Sequence, residues 1–378
     1  MDLSLTDQQE MLKQAVDDFV SRDAPIETLI ELQQTERGFS DEMWRTAGEL
    51  GWLGMLIPEE YGGSNTGYTD AGVVFEALGK GPVPGPFFST VLAGEIIKEL
   101  GDDAQKENYL TRIANGSLIA TLAMAEPDYQ WGNAGVQLAP NEEGDDYILN
   151  GEKSFVYDGH AADLIITAIR TGSDDNDISL LLVDTSIPGV SARKLEGFTS
   201  SESSVTFENA RVPKSALLGE VNAVAEGLHV ALMRATPLLC AYKVGGAQAV
   251  FDLSVQYSRD RVQFGRPIGR FQFVQNHIVQ LVIHLDSARW TTYEALWKMD
   301  TGRQTEAAIH LAKAVTSDGY RHACDYGHEV HAGTGVVREY GLTLYTRQSR
   351  SLFHALGEPR YHRRQLAKLM PTLQLDDE

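Results

Sequence analysis

The sequence predicts an α+β fold in three blocks: an all-α block at residues 1–117, a middle antiparallel β block at 118–222 and a C-terminal four-helix bundle at 223–378. Three observations carry this reading. Apolar residues recur every three or four positions at both ends of the chain. Between about Leu118 and Glu220 that period gives way to short β-type runs separated by turn residues. No helical stretch of ~10–15 residues comes between those runs, which argues against βαβ units and against a Rossmann-type nucleotide site.

The elements follow in order. Thr6 with Gln9 forms a capping box, and Met11, Ala15, Val16 and Phe19 then make the expected buried stripe of the first helix. GMLIPEEYGGSNTG (54–67) and GKGPVPGPF (79–87) break the helices with Pro and Gly, and irregular loops of this kind often carry ligand contacts. Strands are expected at LIATLAM, DDYILNGEKSFV, DLIITAIRT, ISLLLVDTS and SSVTFENARVP, with NEEGDD and GSDDND among the turns. Four helical stripes follow. The first steps through Leu228, Leu232, Ala235, Leu239, Tyr242, Gly246, Val250 and Leu253, with Pro237 expected to bend it. Phe271, Val274, Ile278, Leu281, Leu285 and Ala288 form the second, and Ala308, Leu311 and Val315 the third. Leu342, Tyr345, Ser349, Leu352 and Leu356 form the fourth, and the acidic LDDE end is expected to fray.

Composition excludes several function classes. At 378 residues the chain has room for a large core and roughly two or three domains. A net charge of −21 repels phosphate backbones and anionic membranes, so nucleic acid is not an expected partner. Cys240 and Cys324 lie in helical apolar context, which fits a reducing, cytosolic compartment and excludes a disulfide framework or a Cys-built metal site. The opening MDLSLTDQQEMLK reads as neither signal nor transit segment, and no apolar run is long enough to span a membrane.

Several strings together resemble the acyl-CoA dehydrogenase family of flavoproteins over nearly the whole chain. They are GWLGMLIPEEYGG, AEPD, NGEKSFVYDGHAADLIITA, VTFENARVP, YSRDRVQFGRPIGRFQ, EVHAGTG and GEPRYHRRQLA. The resemblance implies FAD bound at a subunit interface. Arg261 would neutralise its pyrophosphate, Phe264 would offer an aromatic face and Gln272 would contact the adenine side at a helix start. Glu329, Ala332, Gly333 and Gly335 match a Gln-x-x-Gly-Gly-x-Gly turn on the same diphosphate, with Glu329 and Ala332 departing from it. Phe155 and Tyr157 match the Trp and Thr that contact the flavin in Met-Trp-Ile-Thr-Asn-Gly, while the loop from Ala125 to Gly132 has lost that family's usual Thr, Gly and Ser pattern.

Desaturating an acyl thioester needs a base for the α-proton, most often a carboxylate in a dry pocket. The family places it at either of two points, which here hold Leu356 and Ala235. Glu358, two residues past the first, is a weak substitute candidate, and Asp128 and Asp158 are weaker ones, since Asp in a turn usually caps backbone. The HEVH run around His328 and His331 lacks the spacing of a zinc helix and reads as ordinary polar structure. No metal is expected. RATPLLCAYKVGGAQ together with LG-x-x-x-x-HR looks like the base-less chain of bacterial α2β2 enzymes acting on bulky, steroid-derived CoA thioesters. The leading expectation is therefore a subunit that completes an FAD site while a homologous partner supplies the base, with acyl-CoA as substrate and electron-transfer flavoprotein as electron acceptor. The rivals are a homo-oligomer using Glu358 or different thioester chemistry, and a non-enzymatic acyl-CoA-binding homologue.

Overall fold

The computed structural model describes residues 4–370 apart from Tyr129 and Ser200, so the LDDE end lies outside the described residues. In chain order the elements are α1 (Asp7–Asp23), α2 (Ile26–Leu32), α3 (Asp41–Glu49), α4 (Tyr68–Lys80), α5 (Phe87–Leu100) and α6 (Asp103–Ala114). Then come β1 (Ala120–Ala123), β2 (Asn141–Glu143), β3 (Asp146–Tyr157), β4 (Leu164–Arg170), β5 (Ile178–Asp184), β6 (Val190–Lys194), β7 (Glu202–Pro213) and β8 (Leu217–Leu218). The C-terminal part holds α7 (Ala225–Asp260), β9 (Val262–Gln263), β10 (Arg266–Pro267), α8 (Gln272–Asp300), α9 (Glu306–His331), α10 (Leu342–Ser351) and α11 (Pro359–Leu369). These elements pack as two compact units, one made of the chain up to Gln34, Gly67–Val83 and everything from Thr236, the other of Thr35–Thr66 and Pro84–Ala235. The division falls inside α7, immediately before Pro237, which the helix accommodates without interruption.

In the helical unit, α1 starts with the expected capping box: Gln9 N–H donates to Thr6 Oγ1 at 3.2 Å and Thr6 N–H to Gln9 Oε1 at 3.0 Å. Its buried face centres on Val16 and Phe19 with Leu12 half-buried, whereas Met11 and Ala15 of the expected stripe are exposed. At 100° per residue Met11 lies about 140° round from Val16, outside the arc that meets the core. The third stripe shifts likewise: Leu311 faces out and Ile309, Ala312, Lys313 and Thr316 face in.

The fourth stripe does not continue to Leu356. α10 ends at Ser351, and a further helix, α11, restarts at Pro359, so among the described residues the block has five α-helices instead of four. Proline forbids helical backbone at the residue before it, and Glu358 is accordingly extended (φ −74°, ψ 162°).

α4 and α7 cross at glycines. A Cβ on Gly79 would stand 1.9 Å from the Tyr242 carbonyl oxygen, and one on Gly245 1.9 Å from that of Glu76. Beside the crossing, Tyr242 OH donates to Val83 O at 2.9 Å and Tyr345 OH to Lys80 O at 2.9 Å, which fixes the end of α4 on the bundle.

The second unit carries α3, α5, α6 and two four-stranded sheets, ordered β1-β4-β5-β8 and β2-β3-β7-β6. Five strands match the expected runs; the short β2, β6 and β8 were not legible as apolar runs. One pairing differs from the all-antiparallel expectation, because β1 and β4 pair parallel, Ala120 with Leu164 through Ala123 with Thr167. Between these strands the chain leaves to build β2 and β3 in the other sheet, and that long crossover permits parallel alignment. β4 is buried along nearly its full length, as a strand covered on both faces requires.

The crossing gives a direct test. Gly79→Ala should cost ~1–3 kcal/mol by overpacking, read as a lower urea midpoint at unchanged slope. Gly94→Ala in α5, where the nearest atoms to a new Cβ are 3.9 and 4.0 Å away, should be neutral or slightly stabilising; equal losses for both would refute the close-approach argument.

Candidate functional site

Eight non-glycine residues among those described have left-handed backbone. Three are Asn, which tolerates it. The other five are Phe155 (φ 54°), Asp158 (54°), Phe264 (53°), Ala332 (49°) and Leu356 (56°), and every one falls inside a motif string. Such backbone costs of order 1–3 kcal/mol at a bulky residue and persists where the surroundings over-determine it, commonly at ligand sites.

In the helical unit, β9 and β10 form a hairpin whose two turn residues, Phe264 and Gly265, both have positive φ (53° and 75°). The turn holds the Phe264 ring 92% exposed, edge-on to Phe271 at 6.0 Å, while the Arg266 guanidinium sits 4.4 Å over Phe271. Arg261 is exposed just beyond α7, its backbone tied to Tyr257 O at 2.9 Å and accepting from Ile268 N–H at 2.8 Å. Gln272 opens α8 and is exposed, and no side chain caps that helix start.

The 329–335 segment lies at the same end of this unit. Tyr257 OH and Thr334 Oγ1 are 3.0 Å apart, and the Tyr257 ring stacks on His331 at 4.6 Å. Ala332 and Gly333 are exposed, with nothing within 4 Å of a Cβ on Gly333, so another molecule can approach that backbone closely. A Cβ on Gly335 would meet His328 Nδ1 at 2.9 Å. Glu329 is exposed. The open backbone and the presented aromatic ring fit a nucleotide diphosphate; the Glu329 carboxylate and the Ala332 methyl weaken that fit.

The two histidines are structural. Buried His331 donates from Nδ1 to Gly327 O at 2.7 Å, so its Nε2 accepts from Tyr340 OH at 3.0 Å, and burial lowers its pKa. His328 Nε2 bonds Thr346 Oγ1 at 2.7 Å. Among the described residues no group of three or more His, Cys, Asp or Glu could hold a metal.

At the end of β3, in the other unit, a register shift between Lys153 and Val156 turns Phe155 outward, 38% exposed. The preceding Lys153 is fully buried and reaches Glu126 at 2.7 Å; Glu126 also accepts backbone N–H groups from Gln137 (2.8 Å) and Leu138 (2.9 Å). Burial brings the Lys153 pKa down to about 8. Glu126 therefore fastens its loop to β3. Asp128 is exposed and accepts from Gln130 N–H at 3.2 Å, an ordinary turn cap, while Tyr129 in the same loop lies outside the described residues. The Tyr157 carbonyl accepts from Thr121 Oγ1 at 2.6 Å, and buried Asp158 meets Ser89 Oγ at 2.6 Å, with burial pushing its carboxyl up to about 7.

The turn at 354–358 keeps its shape by gripping backbone. His362 Nε2 donates to Leu356 O at 2.8 Å, and Lys313 Nζ donates to Gly357 O at 2.8 Å. With Nε2 donating, His362 Nδ1 accepts from His310 Nδ1 at 2.9 Å. Lys313 also reaches Ser317 Oγ at 3.1 Å, and buried Lys243 reaches that oxygen at 2.9 Å. Burial lowers Lys313 to about 8 and, with the Lys313 charge beside it, lowers Lys243 well below its ordinary value. Burial, with Lys313 next, takes His362 down to about 3. Leu356 itself is buried, as is Ala235 at the other point considered. Glu358 is exposed and begins α11.

The sequence reading missed the Lys243–Lys313 pair. Its signal was present: Lys243 lies in an apolar helical stripe with Leu239, Cys240 and Ala247, and Lys313 in one with Ile309 and Ser317.

Residues 6–117, 121–210 and 226–370 match, in turn, the N-terminal, middle and C-terminal domains of acyl-CoA dehydrogenase. The chain is 30% identical over 361 residues to a probable acyl-CoA dehydrogenase, YngJ, of Bacillus subtilis strain 168, covering 93% of this chain and 94% of that one. A glutaryl-coenzyme A dehydrogenase solved with glutaryl-CoA superposes with a TM-score of 0.92 at 25% identity, over 99% and 98% of the two chains. PigA, solved with FAD and proline, does so with 0.89 at 25% identity, over 98% and 100%.

Arg261→Ala should weaken FAD binding roughly tenfold or more, since a charge-assisted contact contributes ~1.5–3 kcal/mol, while Glu358→Gln should leave it unchanged. Flavin titration of both variants in the assembled oligomer decides it; equal affinities would contradict the placement of the pyrophosphate at Arg261.

Proposed function

The chain belongs to the acyl-CoA dehydrogenase family, oxidoreductases that dehydrogenate acyl-CoA with FAD, and from that membership we propose that it is a subunit that completes an FAD site without supplying the base. The carrying observation is the 354–358 turn. Its left-handed backbone and both carbonyl grips are intact, yet the side chain at its apex is a buried Leu356, and the alternative point is a buried Ala235. Neither side chain can accept a proton. Glu358 is the exposed residue just before α11, and its carboxylate makes no capping hydrogen bond to that helix.

When bound, FAD would supply the acceptor for the hydride leaving the β-carbon. The chain's own residues would bind and orient. Arg261 would meet the diphosphate charge, Phe264 would offer a ring face, Gln272 would stand with the open amide groups of the α8 start, and Gly333 would let the main chain approach. On β3, Phe155 and Tyr157 would offer their rings to the flavin. The α-proton is taken by a carboxylate on a homologous second chain, as in an α2β2 assembly. The substrate is a CoA thioester of a bulky, steroid-like acyl group, and electrons leave through electron-transfer flavoprotein.

Assembly through the bundle is supported by one face of α8, where Val279, Ile283 and Trp290 fall within about 40° of helical arc. Each is about half exposed. An apolar stripe of this kind on a helix already packed on its other side suits burial against another chain.

Purified alone, the wild-type chain should turn over linear, branched and cyclic acyl-CoAs at least ~10²-fold below the rate usual for the family in a dye-linked assay. Robust turnover that Glu358→Gln abolishes would overturn the proposal and make Glu358 the base. Leu356→Glu should recover only part of the ~10²–10⁴-fold that a positioned base supplies, because the adjacent Lys313 ammonium would hold the new carboxylate ionised and weakly basic.

A further inference from the structure

We propose that Asp158 is a positioning residue that works as a neutral acid, its proton shared with Ser89, so that the β3 end carrying Tyr157 holds FAD in a protonation-dependent way. The inference rests on the reading of Phe155 and Tyr157 as flavin contacts.

The geometry is specific. Asp158 is buried with left-handed backbone at the first residue past β3, and its Oδ2 lies 2.6 Å from Ser89 Oγ in the first turn of α5. Ser89 Oγ is also 3.2 Å from Pro86 O. In the neutral state a chain closes from Asp158 O–H to Ser89 Oγ and from Ser89 O–H to Pro86 O, with each donor used. When the proton leaves for solvent, Ser89 must turn to donate to the carboxylate, Pro86 O loses its donor, and a charge is left buried with one hydroxyl as counterpart.

The rest of the turn leaves little slack to absorb that change. Asp158 N–H donates to Ser201 O at 2.5 Å, and Ala161 N–H to Asp158 O at 2.9 Å. Thr121 holds Tyr157 O, while His160 bonds Ser203 Oγ at 2.9 Å and Arg37 O at 2.9 Å. The titratable groups around the turn offer Asp158 no compensation. On α5, Glu95 and Lys98 pair with each other; on β7, Glu202 stands opposite Tyr157. Arg37, Lys194 and Glu36 act on His160, whose pKa burial lowers, and Ser89 is the hydrogen-bonding partner that tunes the Asp158 carboxyl.

The sign follows. A carboxyl raised to about 7 in the folded chain, against 3.8 ordinarily, stabilises the fold below the ordinary value and loses that contribution as pH climbs to about 7. Unfolding temperature without added cofactor should fall across that window in wild type. Asp158→Asn, which stays neutral and is the Asn of the family string, should lack the fall, and Ser89→Ala should move it to higher pH. FAD affinity of the assembled wild-type oligomer should drop between pH 6 and pH 8.5, by ~tenfold for one unit of coupling, and stay level in Asp158→Asn.

Parallel unfolding profiles for wild type and Asp158→Asn would overturn the proposal outright. Profiles that differ while FAD affinity keeps the same pH dependence in both would overturn the link to the cofactor. Phe155→Ala separates the two readings: unchanged FAD affinity at pH 6 would remove β3 from the flavin site, whatever Asp158 does.

Discussion

Left-handed backbone at residues with real side chains is the constraint on which the candidate site depends. A Phe, a Leu or an Ala adopts it only when the chain on both sides is held. Here the holding groups can be named: the β9–β10 pairing at Phe264, the His331 contacts before Ala332, the β3–β7 register shift at Phe155, and the His362 and Lys313 grips at Leu356. What the strain obtains at Phe155 and Phe264 is presentation, because a regular strand or a common turn would fold each ring back onto its own chain.

The turn at Leu356 and Gly357 is held through its carbonyls. Two carbonyls in a buried turn need donors, and here the donors are a lysine and an imidazole. Lys313 also donates to Ser317, and the second amine, Lys243, whose pKa burial and the Lys313 charge lower, shares that oxygen. Among the described residues neither lysine hydrogen-bonds a carboxylate, and Asp318 acts on Lys313 only at longer range. A buried positive site under the turn would hold any carboxylate at position 356 in its ionised, weakly basic form, so the leucine found there and the placement of the amines are consistent with each other.

Local features were legible in the sequence and non-local ones were not. The Thr6–Gln9 box and the RDRVQFGRPIGRFQ string each lie within one turn or hairpin, so residue types and spacing suffice. The parallel β1–β4 pair depends on strands 40 residues apart, and an apolar run such as LIITAI fits either direction. The fourth stripe failed at Leu356 because periodicity was carried past Ser351, where α10 ends, and apolar spacing alone does not mark that stop. Lys243 and Lys313 failed because charge was read as exposure, although both interrupt apolar stripes at core positions. Asp158 read as a turn cap; the burial that makes it an acid comes from α5, far along the chain.

These features divide the candidate site by chemistry. The residues proposed to serve a nucleotide are open to another molecule: Arg261, Phe264, Gln272 and Gly333 are exposed, with Phe264 on left-handed backbone. What would serve proton abstraction is closed and apolar at Leu356 and Ala235. A self-sufficient enzyme needs both halves functional in each copy. Exposed residues at the proposed cofactor site and hydrocarbon at both base positions are what the proposed division of labour between two homologous chains requires.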